Sequence, residues 1–374
     1  MGNIFLILVG IVVLVLLIGL VAYLAFLLKR LFIVEKQTRK VLFLFVILSI
    51  LVIASALWVR GLYAVAVLYT VCIAFFIDLL RLVIRFFKRI AYKVTNTSFT
   101  SSPPHKLIRF LVFPICFSLA ITWYGYTNIN KVVATEYTVH SSKVSQAYNI
   151  LFISDIHYGS VQKKDVLTRK VEEMKKHKID MVILGGDIVD ENTSKEDMHE
   201  AFSHLASISS TYGTFYVHGN HDRGMMQMST DFTEKELEQT IKDNGIRILN
   251  DAYEKCGDVL LVGREDRSRM EKRTSAEELF SDIDENKNFI LVADHQPSDA
   301  DEVAHQKADM QLSGHTHAMQ VAPAGFIARL LGAYVYGEYH IDDMQLYVSS
   351  GFAGWGFPVR TEKNSEYVLM HIEP

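Results

Sequence analysis

At roughly 150 residues per domain, a chain of 374 residues has room for about two or three domains, and its 50% hydrophobic content stands at the top of the soluble range. That apolar content, with only three cysteines, excludes a disordered chain, a collagen-like repeat and a disulfide-stapled mini-protein. Up to Gly125 there are 13 Lys and Arg against Glu35 and Asp78, leaving 25 basic and 40 acidic residues beyond, so the front carries +11 and the remainder −15. The acidic remainder lacks the basic footprint that phosphate backbones require, so nucleic acid is excluded as a partner.

Ile4 to Leu28 is an uncharged apolar run of 25 residues, long enough to cross a hydrocarbon layer of ~30 Å. A cleaved signal peptide competes with this reading, but Met1-Gly2-Asn3 offers no positive n-region. Residues 41–59 and 62–80 read as two further spans joined by the Arg60-Gly61 turn, and 107–124 as a fourth, with Pro114 tolerated inside a bundle. Residues 1–127 are thus expected to form a membrane domain of four transmembrane helices. Asp78, Arg81 and Arg85 lie near a helix end, where interfacial snorkelling explains them better than transport. Basic residues crowd two loops, Lys29 to Lys40 and Arg81 to Arg109, whereas the hairpin between them has Arg60 alone. The positive-inside rule then places the rich loops in the cytoplasm and everything after Tyr126 outside the cell.

Val132 to Val139 alternates like a strand, so the tether behind the fourth span is short and keeps the following domain near the lipid. Buried-strand patterns at 149–154, 181–184 and 214–217 alternate with helical ones at 163–177 and 194–208, a βαβ series. Strand patterns at 259–262, 289–293, 310–312, 345–349 and 367–372 continue it with fewer helices between them. Residues 128–374 are expected to form one layered α/β domain of ordinary size.

Where several of these strands stop, metal-competent residues begin, as expected when functional groups gather beyond the carboxyl ends of strands. They are Asp155-Ile156-His157, Gly186-Asp187-Ile188-Val189-Asp190, Gly219-Asn220-His221-Asp222, Asp294-His295 and Gly314-His315-Thr316-His317. Each alone is a chance motif or a turn. Five together, each directly after a β run, point to one site. Asp, His and Asn ligands suit Mn, Fe or Zn, and the lack of cysteine excludes a closed thiolate site. Seven ligands exceed the needs of one open catalytic ion. A shared carboxylate would hold two ions about 3.5–4 Å apart, the spacing that clamps the attacking and leaving oxygens of a displacement.

This series resembles the calcineurin-like metallophosphoesterase superfamily, whose pattern it meets in order from about 128 to 374. The resemblance implies a four-layer α/β/β/α sandwich and a hydrolase acting on phosphoric ester bonds. Asp155, His157 and His317 would bind one divalent metal, Asn220, His295 and His315 the other, with Asp187 bridging. His221 would be the catalytic, non-ligand histidine, oriented by Asp222; a helix N-cap is the competing role for Asp222. The stretch from Tyr347 to Arg360 is similar to that of a membrane-associated bacterial subgroup, which includes phosphoesterases acting on lipid or cell-envelope precursors. Gly314 to Gln320 departs from that subgroup, which usually has two glycines after the last histidine, and the departure leaves the ligands intact while bearing on the shape of the adjacent pocket.

The expected function is therefore a multi-pass membrane phosphoesterase that hydrolyses a phosphomonoester, phosphodiester or pyrophosphate, lipid-linked substrates included. The alternative is a non-catalytic, metal-stabilised binding or sensing domain coupled to a membrane bundle. Met225, Met226 and Met228, and Phe326, Ile327, Leu330 and Leu331, are candidate apolar contacts for a lipid tail or interface, with ordinary loops as the competing reading. Arg264, Arg267 and Arg360 are candidate phosphate-oxygen donors, against surface salt bridging. His218 reads as a strand-face residue, and Cys256 is the only thiol outside the expected spans.

Overall fold

The computed structural model describes residues 2–31, 39–59, 61–95, 111–224, 230–269 and 271–374. The chain divides into two compact units, Met1–Tyr124 and Gly125–Pro374.

The first unit is helical: α1 (Gly2–Leu31), α2 (Arg39–Val59), α3 (Gly61–Thr95) and the greater part of α4 (Val112–Asn128). Among the described residues, the stretches 39–56 of α2 and 61–94 of α3 are long and apolar enough to cross a membrane. They are not core helices of a soluble protein, because Leu42, Phe43, Leu51, Phe76 and Leu82 are all more than half exposed. α3 runs well past the expected end at Leu80: apolar Leu82, Ile84, Phe86 and Phe87 interleave with Arg81, Arg85, Lys88 and Arg89, so helical patterning continues after uniform hydrophobicity stops. Asp78 is ion-paired to Arg30 of α1 at 2.6 Å and to Arg81 at 3.2 Å, so its charge is met inside the unit as well as at the helix end. Residues 107–110 of the expected fourth span, the Arg60 of the hairpin, and Met225, Met226 and Met228 lie outside the described residues.

The second unit holds β1 (Val132–His140), β2 (Tyr148–Ile153), α5 (Lys164–Met174), β3 (Met181–Leu184), α6 (Lys195–Ala206), β4 (Thr214–Tyr216), α7 (Glu234–Asp243) and β5 (Arg247–Ile248). There follow β6 (Ala252–Cys256), β7 (Val259–Gly263), α8 (Ala276–Phe280), β8 (Phe289–Ala293), α9 (Ala300–His305), β9 (Met310–Ser313), α10 (Ala324–Leu330), β10 (Gly337–Ile341), β11 (Met344–Val348) and β12 (Ser365–Glu373). Two six-stranded sheets result, ordered β1-β12-β2-β3-β4-β5 and β10-β11-β9-β8-β7-β6.

Strand alternation builds the layers. In β2 and β3, Ile150, Phe152, Met181 and Ile183 face Val259, Leu261, Phe289 and Leu312 of the other sheet. Their neighbours Leu151, Val182 and Leu184 face Leu167 and Val171 of α5 and Phe202 of α6. On the far side, Leu260, Val262, Ile290 and Val292 pack on Leu279, Val303 and Ala304. Helices therefore cover the outer face of each sheet, and the fold is a mixed α/β sandwich.

Some elements are not announced by hydrophobic pattern. Strands β6 and β10 lie on the edge of their sheet, where alternate residues such as Tyr253 and Glu338 remain in water. Helix α7 starts at a capping box in which Thr233 and Glu236 each bond the other's backbone N–H, a signal in the sequence that a search for apolar runs passes over.

Candidate metal centre

Strands β2, β3 and β4 are parallel with Ile153 beside Leu184 and Leu184 beside Tyr216, so their carboxyl ends are level. In the second sheet Ala293 lies beside Leu312. The two edges are joined where the segment after β11 crosses over: Phe352 N–H donates to the Ser154 carbonyl and Ala353 N–H to that of Asp155. The loops that carry the sequence-predicted ligands thus leave one edge of the sandwich together.

Two groups of donors result. The ligand atoms of Asp155, His157 and His317 lie within 4.8 Å of one another, as do those of Asp187, His295 and His315. Asp187 Oδ2 is 3.1 Å from His295 Nε2 and 3.8 Å from His157 Nε2, so one oxygen faces both groups. Asn220 is buried in the loop between Gly219, whose N–H donates to Asp222, and His221, whose N–H donates to Asp187 Oδ1 at 2.7 Å.

The imidazoles are aimed from behind. His317 Nδ1 donates to the Ala353 carbonyl at 3.1 Å and His295 Nδ1 to the Gly185 carbonyl at 2.7 Å, while Asp190 Oδ2 lies 3.3 Å from His157 Nδ1. With Nδ1 of His317 and His295 bonded to carbonyls and that of His157 facing a carboxylate, each Nε2 is left toward the centre, the arrangement by which outer partners set the tautomer of a metal-binding histidine. Burial, with the His157 ring opposite, pushes His317 down to about 3, and burial also lowers His315, so both present neutral rings. Burial would raise Asp187, but the facing His295, His157 and His221 outweigh it and hold the carboxylate ionised. Burial would lower His295, but the Asp187 and Asp155 carboxylates outweigh it and raise it, so Asp187 and His295 hold each other charged, and a divalent cation would take the place of the imidazole proton. An ionised carboxylate among inward-facing imidazoles is a donor set that fits such ions.

The backbone is held in an unusual state here. Asp155, His157, Asp187, His315 and His317 have φ of 55°, 44°, 53°, 68° and 50°. Left-handed residues other than glycine cost about 1–3 kcal/mol each and gather where function over-determines them. Glycine is required alongside: a Cβ on Gly186, at φ +87°, would stand 2.6 Å from the Gly219 nitrogen and 2.7 Å from His295 Nδ1.

His221 is buried beside this centre. Its Nδ1 lies 3.0 Å from both carboxylate oxygens of Glu191, and its ring stacks at 4.8 Å on that of Trp355. Burial alone would lower its pKa; the Glu191 contact and the Asp187 charge outweigh that and raise it. Asp222 is not the partner of His221. Its carboxylate accepts the backbone N–H groups of Asp187, Ile188, Val189 and Gly219 at 2.6 to 3.2 Å, so it ties the β3 loop to the β4 loop. Glu191 directly follows the Gly-Asp-x-x-Asp motif, and no local signal singles it out.

The arginines expected to meet a phosphate are otherwise employed. Arg360 is fully buried and donates to the carbonyls of His317 at 3.1 Å and Ala353 at 2.5 Å; burial lowers it to about 10. Arg264 is buried 3.6 Å from Asp294, and Arg267 pairs with Asp299 at 3.0 Å on a half-exposed side chain. Removing Arg360 as Arg360→Met takes one of two donors from each of these carbonyls, leaving His317 Nδ1 on Ala353 and the Gln320 N–H on His317. The expected cost is about 2–4 kcal/mol, read as a lower Tm of the full chain together with faster metal loss to chelator. His218 is buried with Nδ1 2.9 Å from Asn250 Oδ1, and burial followed by Arg223 lowers it to about 3, as befits a strand-face residue.

Known proteins are similar to this chain. The calcineurin-like phosphoesterase family matches this chain over residues 148–319. An uncharacterized metallophosphoesterase of Helicobacter pylori strain J99 is 32% identical over 295 residues, 76% of each chain. One from Campylobacter jejuni is 28% identical over 279 residues, 72% of each chain. A transmembrane protein with metallophosphoesterase domain from Danio rerio is 27% identical over 276 residues, 68% of this chain and 61% of that one. With its ligand motifs gathered at one sheet edge and a relative at this identity matched over most of both chains, the protein belongs to the calcineurin-like metallophosphoesterase family.

Proposed function

We propose that the protein is a membrane-anchored phosphoesterase with a dinuclear metal centre, in which Asp155, His157 and His317 hold one ion, Asn220, His295 and His315 the other, and Asp187 both. The observation that carries this reading is the position of Asp187 Oδ2 between His295 and His157, where one carboxylate serves two donor groups. When bound, two divalent cations supply charge for the phosphoryl oxygens and acidify the attacking water. In this reading His221 gives a proton to the departing alkoxide through Nε2, supported by the contact of Glu191 with its other nitrogen. The Trp355 ring lies beside that of His221, with centroids 4.8 Å apart and planes tilted by 33°.

The full chain in detergent, supplied with Mn²⁺, is expected to hydrolyse a bis-aryl phosphate, to lose all turnover on chelation and to regain it on adding metal. Turnover indifferent to chelator would overturn the reading and favour a metal-stabilised binding domain.

The anchor we propose is a bundle of four spans with the catalytic domain outside the cell, supported by the basic residues of α3 beyond Leu80 and by the length of α2 and α3. Cys256 cannot report on this placement, because it is buried at the end of β6 and burial pushes its thiol to about 11. With Cys72 and Cys116 replaced by Ala, Glu285→Cys on an exposed turn is expected to react with an impermeant maleimide on intact cells. Labelling only after lysis would reverse the orientation.

A further inference from the structure

From Gln320 to Tyr336 the chain carries one charged residue, Arg329. In that segment α10 leaves Phe326, Ile327 and Leu330 exposed at 62%, 49% and 71%, with Leu331 behind them at 82%. Their spacing of one, three and one residues sets them along one helical face. The opposite side is closed: a Cβ on the buried Gly325 would meet the Ala318 carbonyl at 2.8 Å. Trp355 and Phe357 add aromatic surface at 38% exposure each. Contiguous apolar exposure of this kind marks a contact surface rather than scattered surface residues.

One residue ties this surface to the metal centre. Gln320, three positions after His317, accepts the Trp355 N–H at 2.9 Å through Oε1, donates to the Phe357 carbonyl at 2.8 Å through Nε2, and accepts the Thr361 N–H at 2.9 Å on its own carbonyl. The last turn of α4 is bonded to the same segment: Gly125 accepts the Arg360 N–H at 3.0 Å, and Asn128 Nδ2 donates to the Arg360 and Lys363 carbonyls at 3.2 Å each. The apolar face, the ring stacked on His221 and the entry of α4 into the domain therefore share one rim.

We propose that this rim docks on a lipid bilayer, with Phe326, Ile327, Leu330 and Leu331 in the interfacial layer and Trp355 and Phe357 at headgroup depth. Three observations select lipid over a protein partner. The segment is apolar and has no acidic residue to repel lipid phosphates, and its lone cation, Arg329, is drawn back onto the Tyr336 carbonyl at 2.6 Å. The chain carries α2 and α3, long enough to cross a membrane, so lipid is always within covalent reach. The end of the apolar helix α4 is hydrogen-bonded into the rim itself. A centre beside such a rim receives its phosphate ester from the headgroup layer; that consequence rests on the phosphoesterase reading, whereas the docking does not.

The test uses the full chain in nanodiscs of phosphatidylcholine and phosphatidylglycerol, with its native cysteines replaced and one environment-sensitive fluorophore on Leu331→Cys or, as control, Glu285→Cys. Lipids bearing a nitroxide on the upper acyl chain are expected to quench the label at 331 by about half or more and that at 285 by less than about a tenth, since interfacial helices sink roughly 5–10 Å. Equal, weak quenching at both positions overturns the proposal. A blue-shifted but unquenched label at 331 also overturns it, and assigns the face to a protein partner. Quenching at 331 in a preparation that hydrolyses no aryl phosphate supports docking while removing the phosphoesterase reading; hydrolysis without quenching does the reverse.

Discussion

Asp187→Asn is expected to lower kcat/KM for an aryl phosphodiester by about 10³-fold or more, beyond the roughly 10–100-fold typical of outer-shell changes, and to empty both halves of the metal site together. The reason is geometric. Asp187 Oδ2 faces His295 at 3.1 Å and His157 at 3.8 Å, so weakening this one ligand weakens both donor groups. Asparagine retains an acceptor for the His221 N–H that Asp187 Oδ1 takes at 2.7 Å, so the β4 loop should keep its place. Asp155→Asn is the comparison: Asp155 belongs to one donor group, and its variant should keep about one metal per chain where Asp187→Asn keeps almost none. Elemental analysis of dialysed protein decides between them. Two metals retained per chain by Asp187→Asn would rule out the shared carboxylate.

His221→Asn is expected to keep its metal content while kcat falls by about 10²–10⁴-fold, as for loss of a positioned general acid. Glu191→Gln should lose less, about 10–100-fold, because the ring remains but its tautomer is no longer set by a carboxylate 3.0 Å from Nδ1. If Glu191 acts through His221, the double variant should be no slower than His221→Asn alone. Full additivity would show that Glu191 acts elsewhere. Asp222→Asn should behave differently again. Its carboxylate accepts four backbone N–H groups from two loops, so its loss is expected to loosen metal and lower Tm rather than slow the proton step selectively.

The contrast between Asp222 and Glu191 measures what could be read in advance. The ligand motifs stand out because each is a short polar cluster ending a buried strand, and both the cluster and the strand are properties of near neighbours in the chain. Asp222 shares that visibility, being next to His221, yet adjacency pointed to the wrong partner. His221 turns its ring to Glu191, whereas the Asp222 carboxylate accepts N–H groups of a loop 33 to 35 residues away. Glu191, 30 residues from His221, reaches it because β3 and β4 are parallel neighbours, a relation that pattern alone does not fix.

Arginine 360 makes the same point from the other direction. As a basic residue near a phosphate motif it reads as a substrate donor; packed, it is sealed inside and bonded to the backbone behind His317. Edge strands β6 and β10 escaped because half of each stays wet, so they lack the apolar runs by which β3 and β8 are recognised.

Covalent order by itself determined the long apolar runs, the alternating strands, the layered α/β class and the series of metal-competent residues in their turn. Those depend on periodicity and on which residue follows which. Only the tertiary structure decided that Glu191 rather than Asp222 pairs with His221, that Arg360 faces inward, and that α10 and Trp355 share a rim with the end of α4. Each of those turns on burial and on distances between residues far apart in the chain, which exist only once the sheets have packed.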